Sequence, residues 1–503
     1  MALNQRKAGS ILSYIYIFLS NTISLIYTPI MLGILGQSEY GLIGTANSIT
    51  SYLSLLSMGI GASYVRFNAQ ARATGDKEKE YRTNGMFQTI YIVISIITLI
   101  VGMVLVFLSP YIFQANYSDT QLEEIKWIMI CTVIQFVITF LFNTTAMTIQ
   151  AYERFVFIRL CLIIACVLQP CINLLLYHGG NVVTISVATL VISFLTYVVY
   201  YCYAKKVLDL KYKFDNFDKN LFKNIFVFSA FLFLNTITDQ LTFSTDNIIL
   251  GIFSGSIMVA IYSVGSNFKN YFMAFSTSAS SVFAPKINKI IAESGSDDET
   301  NEIFIRIGRI QFYIVTLILL GYIFLGRQFV YLWVGNEYSD AYWIGLLLMI
   351  SVYVPCFQNI GLEIQKAKNM HKARSVVYFL IAIVNIIITI PLSLLYGGIG
   401  ASFATCLCMF IGTVIFMNIY NYKKVGIDIP AFWKSIFRIL PGMIIPIVYG
   451  VFINCFININ SYWNLLFVIL GFVLVYFLSC WFFSMNHYEK DIFSKPLKRF
   501  LKK

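Results

Sequence analysis

Charge is scarce in this sequence: 12% of its 503 residues are Asp, Glu, Lys or Arg, about half the share in soluble domains. Histidine is scarcer still. His178, His371 and His487 are the only three, and no HExxH joins any two of them, which removes that pattern of zinc-assisted hydrolysis. The ten cysteines form no CxxC; Cys406 and Cys408 come closest, and small apolar packing accounts for them. No GxxxxGK[ST] is present, so no P-loop cradles a nucleotide. GIGAS occurs at 59–63 and 398–402, yet neither copy follows a strand, and close helix packing explains both. Long loops on the outer side are missing too: the longest, 110–124 and 327–340, are too short to fold a domain. What is abundant is apolar surface, with 58% hydrophobic residues and a mean hydropathy of +0.75. That composition excludes a soluble enzyme, a nucleic-acid reader and a disordered scaffold.

The apolar residues gather into runs long enough to cross a bilayer. Those of the first half lie at about 11–32, 41–66, 86–109, 125–148, 160–177 and 181–204. Those of the second lie at 224–253, 257–284, 310–334, 340–364, 375–396 and 398–420, and two more follow at 436–456 and 462–484. The expected fold is therefore an all-α polytopic membrane protein of fourteen spans. Arg6 and Lys7 before the first run resemble the start of a secretory signal, but the run exceeds a signal core and lacks a cleavage site, so it reads as an uncleaved span. With the amino terminus inside, all but Lys126, Arg327 and Lys269 of the 36 Lys and Arg fall at cytoplasmic ends. Positive charge is retained inside, which fixes this orientation with both termini cytoplasmic. The net charge of +12 is read the same way and not as a nucleic-acid footprint.

The span order repeats. SNTIS at 20–24 answers to LNTIT at 234–238, ILG at 34–36 to ILG at 249–251, LLYHGG at 175–180 to LLYGG at 394–398, and ATGDKEKE at 73–80 to ESGSDDE at 293–299. Six spans per half is an even number, so the halves run parallel, related by a pseudo-two-fold axis along the membrane normal. The expected organisation is an amino-terminal lobe at 1–206, a cytoplasmic linker at 207–223, a carboxy-terminal lobe at 224–424, and two extra spans with a basic tail at 425–503. Parallel halves around a central cavity suit alternating access.

Polarity picks out spans 1, 2, 7 and 8. Asn235, Asp239, Thr242 and Asp246 have the spacing of one face of a continuous helix in span 7. Span 8 carries Asn267 and Lys269, while Asn21 in span 1 and Asn47 in span 2 belong to milder stripes. Ser and Thr often serve only to pack membrane helices, but that leaves intramembrane charges unexplained. Asp239 and Lys269 lie at similar mid-membrane depth and are expected to face the cavity and pair. Arg66 sits at the inner end of span 2, where a snorkelling helix-end arginine is the plain alternative to a phosphate ligand.

The segments TPIMLGILGQSEYGLIG at 28–44, LLSMGIGASYVRFNAQ at 55–70 and TDNIILGIFSGSIMVAIYSVG at 245–265 resemble the Wzx-type O-antigen and capsule flippases. Their superfamily also holds multidrug and toxin extruders and the lipid II flippase. The resemblance extends over essentially the whole chain. It implies a transporter, not an enzyme, in the bacterial cytoplasmic membrane. Its substrate would be an undecaprenyl-pyrophosphate-linked oligosaccharide, moved from the cytoplasmic to the outer leaflet with no cofactor and with coupling to H+ or Na+ left open. Partners would be membrane lipid and the polysaccharide polymerase and chain-length machinery, with no nucleic acid. The candidate substrate-binding residues are Arg66, Asp239, Asp246, Lys269, Asn21, Asn47, Asn235 and Asn267. Two alternatives stay open at this point, a multidrug or metabolite extruder of the same fold and a membrane polysaccharide polymerase.

Overall fold

A computed structural model describes residues 5–57, 59–176, 181–215, 219–293, 297–368, 370, 372–491 and 494. The LLYHGG hairpin beyond Leu176, His178, His371 and the basic tail past 494 lie outside them, as does the Asn235 side chain. Among the described residues there are helices and no strand. Ten continuous helical runs are long and apolar enough to cross a membrane, and the bent pair Ile429–Phe437 and Pro441–Phe456 makes an eleventh. Three of the runs are too long for one crossing: Ala8–Ala73, Thr236–Thr277 and Ala373–Val425, of 66, 42 and 53 residues. Straight, the shortest would measure about 63 Å against a hydrocarbon core of about 30 Å. Each contains a glycine in a positive-φ kink, Gly36 at 73°, Gly255 at 80° and Gly397 at 56°. L side chains rarely adopt that backbone and glycine does so freely. Each run therefore holds two crossings, and the chain is an all-α polytopic protein of fourteen spans.

The turn glycines correct the sequence alignment of the halves. ILG at 34–36 ends on the turn residue Gly36, but in the second copy the turn is made by Gly255, four residues past Gly251. A better-matched feature lies in spans 4 and 10. Helix Asp119–Leu141 is interrupted at Phe142 (φ −97°, ψ 4°) and followed by the nine-residue helix Asn143–Ala151. Helix Ser339–Phe357 is interrupted at Gln358 (φ −100°, ψ 12°) and followed by the nine-residue helix Asn359–Ala367.

Helix starts are set by side-chain caps, which supply acceptors for first-turn N–H groups. Asp76 accepts from Glu78 N and Lys79 N, Ser118 forms a capping box with Gln121, and Asn181, Asp428 and Ser461 cap the helices that follow them.

Packing divides the chain into two compact units, Met1–Ser263 with Ile386–Gly397, and Val264–Asn385 with Gly398–Lys503. This partition falls within span 8, whereas the repeat-based division falls at 207–223. In the first unit, Leu42, Leu53, Phe113, Ile125, Met129 and Val133 are buried together from spans 2, 3 and 4. In the second, Leu325, Ile453, Leu465 and Phe472 seat spans 13 and 14 on span 9. The linker after span 6 is strapped to the start of helix Lys77–Phe113: Lys213 N donates to Tyr81 O at 3.0 Å and Asn84 Nδ2 to Lys211 O at 3.3 Å.

Candidate functional site

Span 2 does not cross as one helix. Helix Gln5–Thr50 gives way to a tight three-residue-per-turn segment at Ser51–Ser57, and helix Ile60–Ala73 begins after Gly59 in the left-handed region (φ 70°, ψ 16°). The hydroxyls explain the local winding: Ser51 and Ser57 each donate to the carbonyl three residues back, on Ser48 and Ser54, at 2.8 Å. Such bonds compete with the regular helical ladder. Span 7 is interrupted at Ser244, where helix Lys219–Phe243 ends and helix Thr245–Glu293 begins.

The two interruptions are joined. Gln240 Oε1 accepts from Ser51 Oγ at 3.0 Å and from Ser244 Oγ at 2.6 Å, and its Nε2 donates to Ser54 Oγ at 3.4 Å. The Tyr52 hydroxyl bonds Thr245 Oγ1 at 2.5 Å, and Asn247 Nδ2 donates to Ser48 Oγ at 3.0 Å. Deeper in the same unit, the buried Tyr262 hydroxyl donates to Asp246 Oδ2 at 2.5 Å. Irregular backbone at membrane depth persists only where protein or a cavity satisfies its polar groups, and here the hydroxyls of Ser51, Ser57 and Tyr52 reach the carbonyls of Ser48, Ser54 and Gln240.

The outer ends in the first unit are stitched as well. Asn116 Nδ2 donates to Ile252 O at 2.5 Å, Gln121 Nε2 donates to Ser38 Oγ at 2.6 Å, and Ser38 Oγ lies 3.3 Å from Ser256 Oγ. A Cβ at Gly41 would come within 1.9 Å of Ser256 O, so the hairpin of spans 7 and 8 meets span 2 at backbone contact.

The sequence-derived candidates scatter over this frame. Arg66 is exposed, its guanidinium 5.8 Å from the Phe67 ring centre, while Ser63, Tyr64 and Asn68 on the same helix are buried. Asn47 is exposed and Asn21 half-buried. The one-residue turn at Ser244 falls between Asp239 and Asp246, and of the positions read as one face Asp239 is exposed while Thr242 and Asp246 are buried. Lys269 is buried and Asn267 half-buried, both in the second unit, whereas Asp239 belongs to the first. Gln240, Tyr52, Ser48, Asn247 and Tyr262 were missed as site residues. For Ser48 and Tyr52 the signal was a Ser-rich stretch ending in Gly59, which marks a broken span better than it marks a polar face.

A model of the family described as polysaccharide biosynthesis protein matches residues 7–291. That is more than half of the chain. The chain belongs to the polysaccharide biosynthesis protein family. Among curated relatives it is similar to the uncharacterized membrane protein EpsK of Bacillus subtilis (strain 168), at 21% identity over 444 residues and 83% of each chain. Among solved structures this family member resembles lipid II flippase MurJ in an inward closed conformation. The TM-score is 0.71 at 17% identity, over 97% of this chain and 99% of that one. It also resembles an inward-facing multidrug resistance MATE family transporter of the MOP superfamily, with a TM-score of 0.59 at 13% identity, over 83% and 95% of the two chains. At these identities the structures establish a shared fold.

Proposed function

We propose that this multi-pass membrane protein is a Wzx-type flippase. It carries undecaprenyl-pyrophosphate-linked oligosaccharide units from the cytoplasmic to the outer leaflet of the bacterial cytoplasmic membrane, for surface polysaccharide assembly. The observation that carries the reading is the hydrogen-bonded pair of interruptions in spans 2 and 7, in a chain of the polysaccharide biosynthesis family. A flippase must shelter a large polar head from hydrocarbon while its lipid tail stays outside, and broken, polar spans give such a head partners within the membrane. Two six-span lobes at 1–206 and 224–424, with spans 13 and 14 as an appendage, would alternate access, and the outer stitches around Ser38 and Ser256 would part in the outward state. Polymerase and chain-length proteins would take the product.

In this scheme Arg66 receives the pyrophosphate at the inner end. Its forked donors match phosphate oxygens in a way that lysine does not. Lys269 draws the anion inward and Asp239 holds Lys269 in the resting state, so that substrate competes with the carboxylate. Asn21, Asn47, Asn235, Asn267 and Asp246 contribute polar contacts to the head. Extrusion of a drug or metabolite is the second reading, favoured by the carboxylates Asp239 and Asp246 and by the likeness to MATE transporters.

The test is transport into vesicles holding the purified protein, with a fluorescent undecaprenyl-pyrophosphate-linked sugar or a cationic dye as cargo. The flippase reading expects the lipid-linked sugar alone to move. Arg66→Ala and the double variant Lys269→Gln with Asp239→Asn should keep membrane abundance and lose transport. Full transport by the double variant at normal abundance sinks the competition mechanism, and transport of the dye alone sinks the flippase reading.

A further inference from the structure

The second unit contains a polar crevice that the transport scheme leaves unused. It lies where the inner ends of spans 10, 11 and 12 meet, has a volume of about 50 Å³, and is lined by Gln358, Asn359, Gln365, Arg374, Tyr378 and Asn421 among others. Four amides in and beside it are at least nine-tenths buried: Gln358 at 9% exposure, Gln365 at 2%, Asn418 at 8% and Asn421 at 5%. Gln358 Nε2 donates to Asn418 Oδ1 at 3.0 Å and Gln365 Nε2 donates to Asn421 Oδ1 at 2.5 Å. Gln365 Oε1 is buried with no hydrogen-bond partner. Leaving a buried amide oxygen unmatched costs about 1–3 kcal/mol, which a helix packed only for stability avoids with an aliphatic residue.

Three further features point to a ligand, and the first is charge. Arg374, in the opening turn of helix Lys372–Met409, lies 4.7 Å from the Tyr378 ring centre and makes no ion pair among the described residues. The second is backbone geometry. Span 12 passes the crevice through two π-helical segments, Phe410–Phe416 and Asn421–Val425; such segments are less stable than α-helix and gather at functional sites. The third is size, since the space exceeds what one water needs and suits a phosphate group while excluding a whole sugar ring.

We propose that this crevice binds the phosphate of a headgroup presented at the cytoplasmic leaflet, with Arg374 supplying the charge and the Gln358, Gln365 and Asn421 amides the neutral donors. Rotating the Gln365 and Asn421 amides together by half a turn preserves the bond between them. It also puts an N–H donor where the unmatched oxygen now stands, so the pair adapts to an anion at little cost. The ring of Tyr378 holds the guanidinium plane in place. The site stands independently of the proposed function, which bears only on the source of the phosphate: a lipid-linked sugar on that reading, a phospholipid headgroup or free phosphate otherwise.

The experiment is isothermal titration of the full-length protein in phosphatidylcholine nanodiscs with farnesyl pyrophosphate, glycerol 1-phosphate and inorganic phosphate. Arg374→Gln should weaken farnesyl pyrophosphate by roughly tenfold or more, as loss of a charged hydrogen-bonding partner implies. Arg374→Lys should lose less, and Gln365→Leu should weaken binding. Preference for farnesyl pyrophosphate assigns the site to the lipid-linked substrate. Equal Arg374-dependent binding of glycerol 1-phosphate supports the site with a phospholipid as source, and equal binding of inorganic phosphate supports it with the free ion. Affinity for all three probes that is unchanged in Arg374→Lys and Gln365→Leu, both folded by their melting curves, overturns the proposal. Failure of sugar transport in vesicles alongside Arg374-dependent binding would remove the flippase reading and leave the site.

Discussion

The inner ends of the two halves share a backbone and differ in filling. Spans 4 and 10 break at Phe142 and Gln358 with nearly the same dihedrals, and a nine-residue helix follows each. Beside the first break the space is closed by an aromatic ring. Tyr64 is fully buried, donates to Asn84 Oδ1 and bonds Thr148 Oγ1, each at 2.7 Å, and meets the Phe87 ring edge-on at 5.1 Å. Beside the second, amides occupy the interior and a crevice remains. A broken span can thus be sealed or left receptive without changing its backbone, and the side chains packed beside the break decide which.

Unsealing the first end is the largest expected effect. Tyr64→Ala removes a ring with zero exposure and its bonds to the buried Asn84 and Thr148. A core aromatic truncated to alanine costs about 3–5 kcal/mol before those lost bonds are added. Membrane abundance should collapse. Tyr64→Phe keeps the ring and should cost about 1–3 kcal/mol, seen as a lower unfolding temperature with abundance largely kept. If Tyr64→Ala accumulates and melts normally, the first end is not sealed by this ring.

The second half is closed elsewhere, by charge. Arg309, at the start of span 9, donates through Nε to Glu489 Oε1 at 2.5 Å, through Nη2 to Oε2 at 3.0 Å and through Nη1 to Ser435 O at 2.7 Å. Side-chain exposure is 10% for Arg309 and 3% for Glu489. The pair fastens the segment after span 14 to span 9. Removing one partner leaves the other buried and uncompensated, so Arg309→Gln should cost about 3 kcal/mol. Arg309→Met with Glu489→Leu should restore most of it in a melting curve, because two apolar groups leave no stranded charge. A double variant no more stable than the single one would show that the carbonyls of Ser435 and Ser484, which also accept from Arg309, and not the carboxylate, are what Arg309 serves.

Hydropathy made the fourteen spans legible in the sequence, because bilayer thickness acts on long runs and tolerates local irregularity. Turns and breaks were less legible. ILG matched ILG as letters, yet Gly255 and not Gly251 turns the second hairpin, since a backbone conformation is chosen by its surroundings. The stripe through Asp239 and Asp246 was read from a 3.6-residue period, which does not show that Asp239 is exposed while Asp246 is buried against Tyr262. Gln240 stood among twelve polar residues of span 7 with nothing in its spacing to mark it. Its importance comes from Ser51 and Ser54, nearly two hundred positions away in the chain.

The smallest effects belong to the strap between the halves of the chain, where backbone contact and surface charge can be compared directly. A Cβ at Gly85 would stand 2.0 Å from Lys213 O, so Gly85→Ala must push the strap off span 3 and break the bond from Lys213 N to Tyr81 O. Overpacking of that kind costs about 1–3 kcal/mol. The same strap carries ion pairs from Lys213 to Glu78 at 2.6 Å and to Asp215 at 3.2 Å, all with side chains more than 40% exposed. Exposed pairs give back in side-chain entropy and hydration most of what they gain, and salt screens the rest. Lys211 and the Tyr81 hydroxyl hold the Asp209 carboxyl below its usual range. Its small contribution is therefore complete at neutral pH and fades only as acid takes pH down through the depressed value. Glu78→Gln should leave the unfolding temperature unchanged at physiological salt, while Gly85→Ala lowers it and exposes Lys213 to protease in inside-out vesicles. Equal loss from both substitutions would mean that charge, not backbone contact, keeps the strap in place.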